Sequence, residues 1–405
     1  MYDNGSLHPM ERECIAVIGG GPAGLMAAAV LAPHCDVAVY DQGKSVGRKF
    51  LVAGQGGFNI TTSMVDEALR AKYTPSGFLD EALAGFGPTE LRAWLAEIGI
   101  GTYVGSSGRV FPTKGIKPIE VLNAIRQRLI DRGVRFHLEH AFTGFDDRAM
   151  PVITHAGQRI DIKATRVLFA LGGASWPITG STGTWPALFE KIGVETLPFK
   201  SSNAGIHIPW PVEFATAHAG KALKNIRVSV GDLSALGEAT ITSHGLEGNA
   251  IYPLIPAIRE ALSSSGSATL VLDLKPNNVE DQLKQKVAGR APSEYPSLLN
   301  LDRAQVALIK AFTTKEDYHI PVRMVAQVKA LHLPVTGLRP LEEAISTVGG
   351  IPTSALTPTF AIKQYPHVQT IGEMVDWDAP TGGFLLQGCF AMGHHAAQCI
   401  LRGTH

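Results

Sequence analysis

The chain has 405 residues, of which 45% are apolar and 18% are charged, a balance typical of soluble proteins with large cores. Lys plus Arg equals Asp plus Glu at 36 each, so the composition predicts no general attraction to nucleic acid or to an anionic membrane. No cysteine belongs to a CxxC pair, and no apolar run approaches the roughly 18 residues of a membrane span. We therefore expect no disulfide framework, no metal site, no membrane segment, and a cytoplasmic location.

The N-terminal segment predicts a strand–helix–strand unit that binds a dinucleotide. A buried strand leads into the sequence GGGPAG at 19–24, an alanine-rich helix follows, and a second strand ends at Asp41. In a G-x-G-x-x-G motif the first glycine permits a tight turn, the second lets the backbone approach a pyrophosphate, and the third lets helix and strand pack closely. These three are Gly19, Gly21 and Gly24. Asp41 stands where an acidic side chain accepts hydrogen bonds from an adenosine ribose; the alternative is a purely structural turn.

The middle of the chain alternates between helical and strand patterns. Helical spacing of apolar residues covers 78–98, 118–132 and 185–193. Strand patterns cover 134–145, a hairpin partner at 158–161, and a buried run from Val167 that ends in two glycines.

From about Pro198 the pattern changes to short half-buried strands separated by turn residues. Residues 277–333 then read as mostly helical and charged, with proline at their borders. From Pro276 to Leu333 there are eight basic and six acidic residues, so we interpret this segment as a set of solvated helices inserted into the β-rich region.

The C-terminal segment returns to the first pattern and predicts a strand, a turn and a helix that complete the N-terminal sheet. Glu373 follows the strand, and the helix begins near Gly383. Such a second turn at the far end of the chain favours a large retained flavin over a nicotinamide cofactor that is released. There a Glu can bind a ribityl hydroxyl, and the helix N-terminus can stabilise negative charge near the flavin. The alternative is a plain strand-to-helix loop.

Several motifs taken together resemble those of the bacterial BaiN/RdsA-type FAD-dependent oxidoreductases, a branch of the glutathione-reductase-like flavoproteins. They run in order along nearly the whole chain: VIGGGPAGLMAA at 17–28, GRKFLVAGQGGFNIT at 47–61, GRVFP at 108–112, LGGASWPITGSTG at 171–183, TSHGLEGNAI at 242–251 and GEMVDWDAPTGGFLLQ at 372–387. Members of this family have been assigned as an aminoacetone oxidase, a reductase of dehydro-bile acids and a dihydrouridine synthase for ribosomal RNA.

The resemblance implies an α/β plus β fold, with a Rossmann-like FAD/NAD(P)-binding domain built from both chain ends, a β-barrel-like domain and a small helical insertion. The expected boundaries are 1–197 and 363–405 for the FAD-binding domain, 198–275 and 334–362 for the β-barrel-like domain, and 276–333 for the helical insertion.

The resemblance also implies a set of cofactor-binding residues, distributed over both chain ends. They are Gly19, Gly21, Pro22, Ala23, Gly24, Asp41, Gln42, Arg48, Lys49, Gly54, Gln55, Gly56, Asn59, Ala141, Gly172, Glu373, Gly383 and Phe384. His244, in TSHGLEG, is the candidate acid or base, with a structural role as the alternative. Cys389 follows the flavin-side turn, and we favour core packing over redox chemistry for it.

This sequence departs from the family pattern at places where substrate chemistry is expected. Gly57 and Phe58 stand where many relatives have Arg and Cys, and Leu385 and Gly388 stand where many have Asn and Trp. We therefore hypothesise that the 47–62 loop keeps the cofactor-holding half of the pattern and has lost its reactive half. A relative's substrate is thus not transferable to this chain.

The leading hypothesis is a flavoenzyme that passes hydride through flavin N5 to or from an unidentified small molecule. NAD(P)H is a candidate transient reductant, although no second G-x-G-x-x-G follows a later strand. One alternative is an RNA-modifying flavoenzyme of the dihydrouridine synthase type, which the thin basic content of the helical segment disfavours. The other alternative is a non-catalytic FAD-binding or sensor protein.

Overall fold

The structure is a computed structural model that describes residues 12–52 and 57–403. In the first half of the chain the strands are β1 (Cys14–Ile18), β2 (Asp36–Asp41), β3 (Thr61–Thr62), β4 (Thr102–Val104), β5 (Arg109–Pro112), β6 (Arg135–Leu138), β7 (Ala141–Phe145), β8 (Pro151–His155), β9 (Gln158–Ile160), β10 (Arg166–Phe169) and β11 (Leu197–Ser202). In the second half they are β12 (Ile206–His207), β13 (Ala222–Val230), β14 (Leu233–Ile241), β15 (Gly245–Glu247), β16 (Ala268–Asp273), β17 (Leu331–Val335), β18 (Gly337–Leu338), β19 (Ser346–Gly350), β20 (Ala361–Ile362) and β21 (Tyr365–Thr370).

The α-helices are α1 (Pro22–Leu31), α2 (Arg48–Val52), α3 (Asp66–Arg70), α4 (Asp80–Gly85), α5 (Pro88–Glu97), α6 (Pro118–Asp131), α7 (Pro186–Glu190), α8 (Val212–His218), α9 (Ile255–Ser265), α10 (Glu280–Val287), α11 (Tyr295–Leu298), α12 (Arg303–Phe312), α13 (Lys315–His319), α14 (Pro321–Lys329) and α15 (Phe384–Arg402). Short turns of 3₁₀ helix occupy Pro177–Thr179, Tyr252–Leu254, Pro292–Glu294, Leu341–Glu343, Thr353–Ala355 and Gly372–Met374. No helix among the described residues is both long enough and apolar enough to cross a membrane.

The chain divides into two compact units. Unit 1 takes the residues up to Lys200 and from Thr347 onward, and unit 2 takes Ser201–Ser346. The chain leaves unit 1 within β11 and returns to it within β19. Residues 347–362 were expected in the β-rich domain but lie in unit 1. There the backbone of Ile351 donates a hydrogen bond to Met374 and accepts one from Asp376.

The central sheet of unit 1 has the strand order β20-β21-β10-β1-β2-β6. All neighbouring strands are parallel except β20, which runs antiparallel at the edge. The strand–helix–strand unit β1-α1-β2 is present as predicted, and the C-terminal strand β21 pairs with β10 to extend the N-terminal sheet. In the sheet, β1 lies between β2, which follows it in the chain, and β10. The strand order therefore reverses at β1, and doubly wound sheets bind their ligands at such a reversal.

Helix α15 packs against α1 and buries the apolar faces of both helices in the core of unit 1. The approach is close, because a Cβ atom on Gly393 of α15 would lie 2.2 Å from the carbonyl oxygen of Ala23 in α1. All but two residues of α1 are buried, which explains why its sequence is alanine-rich on every side rather than amphipathic. The last helix is therefore part of the cofactor-type fold and not an appendage.

Two predicted elements of unit 1 are each divided in the structure. The strand expected at 134–145 is two strands in different sheets: β6 joins the central sheet, whereas β7 forms a small sheet with β8 and β9. The chain turns between them at Glu139, whose φ is 59°. The helix expected at 78–98 is divided into α4 and α5, because Pro88 begins a new helix and supplies no N–H to continue the first.

Unit 2 contains an antiparallel sheet with the order β17-β16-β13-β14-β15-β12-β18. Helices α10–α14 fill most of the segment predicted to be helical. That segment was expected to continue to residue 333, but Leu331–Val335 forms β17 and pairs with β16. The alternation of buried Leu331 and Leu333 with exposed His332 is a strand pattern that the preceding helical run obscured.

Candidate functional site

A cleft in unit 1 lies at the carboxyl ends of β1, β2 and β10, beside the N-terminus of α1. Its volume is about 1110 Å³, open solvent at its mouth included. Its lining comes from several parts of the sequence: the glycine turn at 18–23, the segment from 40 to 50, His140 and Phe142, and residues after β10 and after β21. We call it the unit 1 cleft.

Gly24 and Gly21 of the glycine turn are suited to their positions for two different physical reasons. A Cβ atom on Gly24 would lie 2.1 Å from the carbonyl oxygen of Gly19, so this glycine permits helix and strand to pack closely. A Cβ on Gly21 would meet nothing within 4 Å, because the backbone there borders open space in the cleft. Gly21 also precedes α1 without a side-chain cap, which leaves the first N–H groups of the helix available to an anion.

The carboxylate of Asp41 is held at the cleft by two backbone groups. Its Oδ2 accepts the N–H of Gly20 at 2.8 Å, and its Oδ1 accepts the N–H of Gly43 at 2.7 Å. Burial raises the pKa of Asp41, although the N–H groups of Gly43 and Gly20 and the charge of Arg48 oppose that rise. Each carboxylate oxygen has a second lone pair, so Asp41 can brace the glycine turn and still accept a hydrogen bond from a ligand.

Lys49 and Glu373 form an ion pair in the cleft wall. The Nζ of Lys49 lies 2.6 Å from Oε2 of Glu373 and donates to the Oγ of Ser175 at 2.7 Å. The other carboxylate oxygen of Glu373 accepts the N–H of Thr347 at 3.0 Å, and the hydroxyl of Thr347 accepts the N–H of Ala174 at 3.1 Å. Four segments of unit 1 are thereby joined around two charged side chains.

A loop at 176–182 borders the cleft and is held by two side chains from the other wall. The side-chain amide of Gln42 donates to the carbonyl of Gly180 at 2.6 Å, and the guanidinium of Arg48 donates to the carbonyl of Ile178 at 2.7 Å. The loop begins at Trp176, which has a left-handed backbone with φ 57°. Left-handed backbone is unfavourable for a residue with a side chain, so these two hydrogen bonds help to hold a conformation that the loop alone would not favour.

Cys389 lines the cleft, and the pKa of its thiol is raised. Burial raises its pKa to about 12, the charge of Glu373 contributes to the rise, and the charge of Lys49 opposes it. A thiol with such a pKa is protonated at neutral pH and is a poor nucleophile. This favours the packing role that we expect for Cys389.

The predicted cofactor-binding residues divide into three groups. Ten of them line the unit 1 cleft: Gly19, Gly21, Pro22, Ala23, Asp41, Gln42, Arg48, Lys49, Gly172 and Glu373. Five lie outside its lining: Gly24, Asn59, Ala141, Gly383 and Phe384. Three lie outside the described residues: Gly54, Gln55 and Gly56.

His140 and Phe142 line the cleft where Ala141 was expected to do so. Successive side chains of an extended chain point to opposite sides, so the neighbours of Ala141 reach the cleft when Ala141 itself does not. The ring of His140 stacks on that of His155 with centroids 4.3 Å apart. His140, Ser175 and Thr347 were not predicted from the sequence. Of these three residues, only Ser175 lies in a motif that resembles the family, LGGASWPITGSTG at 171–183.

The part of the 47–62 loop that begins at residue 57 is packed into the core through Phe58. Phe58 is buried and its ring contacts that of Phe50 edge to face, with centroids 4.9 Å apart. Gly57 has φ 103°, a backbone conformation in which an Arg would be strained. Gly388 has no room for a larger side chain either, since a Cβ there would lie 2.7 Å from the ring of Trp377. At Gly57, Phe58 and Gly388, the local backbone and packing therefore suit the residues of this sequence better than the Arg, Cys and Trp of many relatives.

Gly383 and Phe384 position the C-terminal helix instead of lining the cleft. A Cβ on Gly383 would lie 2.5 Å from the backbone of Thr61, and the hydroxyl of Thr61 donates to Gln387 at 2.7 Å. The carbonyl of Phe384 accepts the hydroxyl of Tyr73 at 2.9 Å. These contacts fix the start of α15 against β3.

His244 lies in an exposed turn of unit 2, between β14 and β15. Its ring contacts that of His207 edge to face, with centroids 5.8 Å apart. A guanidinium nitrogen of Arg339 lies 3.5 Å from Nε2 of His207, and burial, Arg339 and His244 lower the pKa of His207. His244 therefore lies beside a second titratable ring of unit 2, that of His207.

Comparisons with known proteins connect this fold and cleft to a family. A family model described as "HI0933-like protein Rossmann domain" matches residues 13–399. The chain is 25% identical over 403 residues to a ribosomal RNA dihydrouridine synthase of Haemophilus influenzae, with 95% of this chain and 98% of that protein covered. It is 24% identical over 415 residues to a 3-dehydro-bile acid delta(4,6)-reductase of Clostridium scindens, with 95% and 98% covered.

Among solved structures, a 3-ketosteroid delta1-dehydrogenase of Sterolibacterium denitrificans is similar with a TM-score of 0.49 and 13% identity, over 96% of this chain and 99% of that one. The family model spans nearly the whole chain, from the first strand to the last helix. The chain therefore belongs to the HI0933-like family, and the predicted membership of the BaiN/RdsA-type FAD-dependent oxidoreductases, with a Rossmann-type FAD-binding domain, is confirmed.

Proposed function

We propose that this chain is an FAD-dependent oxidoreductase that transfers hydride to or from a small organic molecule. The observation that carries the proposal is the unit 1 cleft, in which the glycine turn of the N-terminal strand and the Lys49–Glu373 pair border one continuous space. A dinucleotide with two distant polar ends needs a site of this kind, with an anion-binding turn and further polar groups along it.

The residues present fit the adenosine and pyrophosphate part of FAD. The open space at the Cβ position of Gly21 and the uncapped N-terminus of α1 suit a pyrophosphate, which would accept hydrogen bonds from the helix N–H groups. Asp41 stands at the end of β2 with its carboxylate already oriented by Gly20 and Gly43, which suits a ribose hydroxyl. His140 and Phe142 offer ring surface to the adenine.

The Lys49–Glu373 pair fits the flavin part. When bound, the flavin supplies the hydride chemistry through its N5 atom. Glu373 would accept a hydrogen bond from a ribityl hydroxyl through the lone pairs that Lys49 and Thr347 leave open. Lys49 would orient Glu373, and Gln42 and Arg48 would hold the 176–182 loop over the cofactor.

The experiment that tests the proposal begins with the visible absorbance spectrum of the purified full chain, before and after incubation with FAD. A chain that remains colourless after incubation with FAD would contradict it. The flavoprotein is then mixed anaerobically with NADH and with NADPH in separate experiments, and bleaching of the flavin band reports reduction. We expect reduction by at least one of them, or by a substrate that itself donates hydride.

Acceptors for the reduced protein should include the compound classes in the names of the relatives. A delta(4,6)-unsaturated 3-dehydro-bile acid and ribosomal RNA are the two probes, and reoxidation of the flavin under anaerobic conditions is the readout. Reoxidation by the small molecule supports the proposal, and reoxidation by RNA alone would replace it with an RNA-modifying activity. A flavin that no donor reduces would indicate a non-catalytic FAD-binding protein.

A further inference from the structure

A second cleft lies entirely within unit 2 and is lined by lysine and asparagine side chains. Its volume is about 700 Å³, open solvent included. Its polar lining consists of three lysines and four asparagines: Lys224, Lys275, Lys286, Asn225, Asn277, Asn278 and Asn300. We call it the lysine cleft.

The charge in the lysine cleft is positive and is not balanced within it. No carboxylate is found among the described residues that line it. In the part of the chain that the structure describes, neither Lys224 nor Lys286 forms an ion pair, and both side chains are exposed. Of the acidic groups nearby, Asp273 pairs with Lys329 at 2.7 Å. Asp302 caps the start of α12 by accepting the N–H of Gln305, and its charge acts on Lys275 from outside the lining.

The backbone of the cleft is held in place by a lysine that lies outside its lining. The Nζ of Lys329 donates to the carbonyls of Lys275 and Asn278, at 2.9 Å and 3.0 Å, while it pairs with Asp273. Lys275 in turn donates to the carbonyl of Asn300, and its burial lowers its pKa although the charge of Asp302 opposes this. The segment that carries Lys275 is therefore already held in position before a ligand binds.

The opposite wall is shaped by an irregularity in the sheet. The pairing of β13 with β14 shifts between Leu223 and Ile226, so two residues of β13 oppose one residue of β14. Lys224 and Asn225 occupy this bulge, and Asn225 has a left-handed backbone with φ 51°. Bulges redirect side chains out of the regular alternation, and this one turns two residues of the sheet into lining of the cleft.

We propose that the lysine cleft binds a phosphate group. Phosphate oxygens accept hydrogen bonds from ammonium and amide N–H groups. Several lysines around one space favour an anion that has several oxygens and can therefore bind more than one lysine. A carboxylate ligand is less well matched, because its two oxygens offer fewer acceptor sites than phosphate to the lysine and asparagine donors that line the cleft. The phosphate belongs either to a small phosphorylated molecule or to a nucleic acid strand, and both sources have the same chemistry at the cleft.

The test compares full-length wild type with the double variant Lys224→Gln/Lys286→Gln and with a charge-matched control, Lys310→Gln/Lys315→Gln. The two control lysines are exposed on α12 and α13, outside the cleft lining. Two probes are used: inorganic phosphate by titration calorimetry, and a short single-stranded RNA by fluorescence anisotropy at low and raised salt.

We expect the cleft variant to bind at least one probe about tenfold more weakly than the control, because each lost lysine removes a charge-assisted hydrogen bond. A loss seen with RNA indicates a nucleic acid strand as the source, and a loss seen with phosphate alone indicates a small phosphorylated ligand. Equal affinity of the cleft variant and the control for both probes would overturn the proposal. The variant Lys224→Arg/Lys286→Arg should retain binding, and thermal unfolding of each variant followed by circular dichroism separates a folding defect from a binding defect.

Discussion

The ammonium group of Lys49 lies 2.6 Å from the carboxylate of Glu373, although 324 positions separate these residues in the chain. Their side chains are only 26% and 14% exposed, so the pair is partly shielded from water. Breaking a shielded pair leaves one charge without compensation, which costs more than loss of a surface pair. This pair is therefore the contact whose removal should reveal most about the unit 1 cleft.

Replacement of Lys49 by Met should lower the free energy of unfolding by about 1–3 kcal/mol and weaken FAD binding, because Glu373 keeps only the N–H of Thr347 as a donor. Chemical unfolding and FAD titration followed by fluorescence measure the two effects. The double variant Lys49→Met/Glu373→Gln should recover part of the lost stability. Lys44→Met, a change of an exposed lysine in the turn before α2, should leave both quantities near wild type. Equal effects of the two single lysine changes would argue against this role of the pair.

Replacement of Arg48 by Ala should accelerate the release of bound FAD by about tenfold, because the 176–182 loop loses the donor that holds the carbonyl of Ile178. The rate is measured from the rise of free flavin fluorescence after dilution. Gln42→Ala should act in the same direction through Gly180, and the two effects should be less than additive because one loop is held. Release rates that stay at the wild-type value in both variants would show that the loop does not retain the cofactor.

Replacement of Gly383 by Ala should lower the free energy of unfolding by about 3 kcal/mol or more, because the residue has φ 97° and its Cβ would lie 2.5 Å from the backbone of Thr61. Gly403→Ala is the matched control. That glycine also has a left-handed backbone, with φ 66°, but a Cβ there meets nothing within 4 Å. Its cost should be about 1 kcal/mol. Similar losses in both variants would contradict a close contact between α15 and β3.

The double change Gly57→Arg/Phe58→Cys, which installs the Arg and Cys of many relatives, should destabilise the protein by about 3–5 kcal/mol. Most of the cost should come from Phe58→Cys, because it removes a ring that packs on Phe50 in the core. The rest comes from placing Arg at φ 103°. Thermal unfolding of the single and double variants measures the costs. A double variant as stable as wild type would mean that the loop repacks freely.

Stability should fall below about pH 6.5, in part through His394. Its ring stacks on that of Phe86 with centroids 4.5 Å apart, and burial lowers its pKa from the ordinary value of 6.5. The unfolded chain therefore takes up a proton at this residue before the folded one does, so the free energy of unfolding decreases as the pH falls through that window. His394→Phe keeps the stacked ring but cannot be protonated. The variant should lose less stability than wild type between about pH 7.5 and about pH 5.5, and an unchanged dependence would contradict this assignment.

The sequence predicted well those parts of the fold that depend on short-range chemistry. The turn at Gly19–Gly24 and the acid at Asp41 have fixed spacing, so the β1-α1-β2 unit could be read directly. The pairing of Lys49 with Glu373 could not, because it depends on how distant segments meet in the sheet. Ser175 and Thr347, which complete that network, carry no pattern of their own.

The lysine cleft was missed for a different reason. A count over Pro276–Leu333 gave a nearly neutral segment, but the cleft brings Lys286 of that segment together with Lys275, just before it, and with Lys224 from β13, while Asp273 pairs with Lys329. A sum of charges along the chain contains no information about this sorting in space. The division of the 134–145 segment at Glu139 was hidden in the same way, since both halves have strand composition.

The contribution of both chain ends to unit 1 has a consequence for how the protein is made on the ribosome. When translation has reached Ser346, the emerging chain has the glycine turn and all of unit 2, but it lacks Glu373, β21 and the helix that packs on α1. The N-terminal sheet must then wait, with α1 lacking its packing partner, until α15 has been translated and has left the exit tunnel. Cofactor capture is therefore expected to follow the emergence of α15, and a chain truncated before Glu373 should bind no flavin.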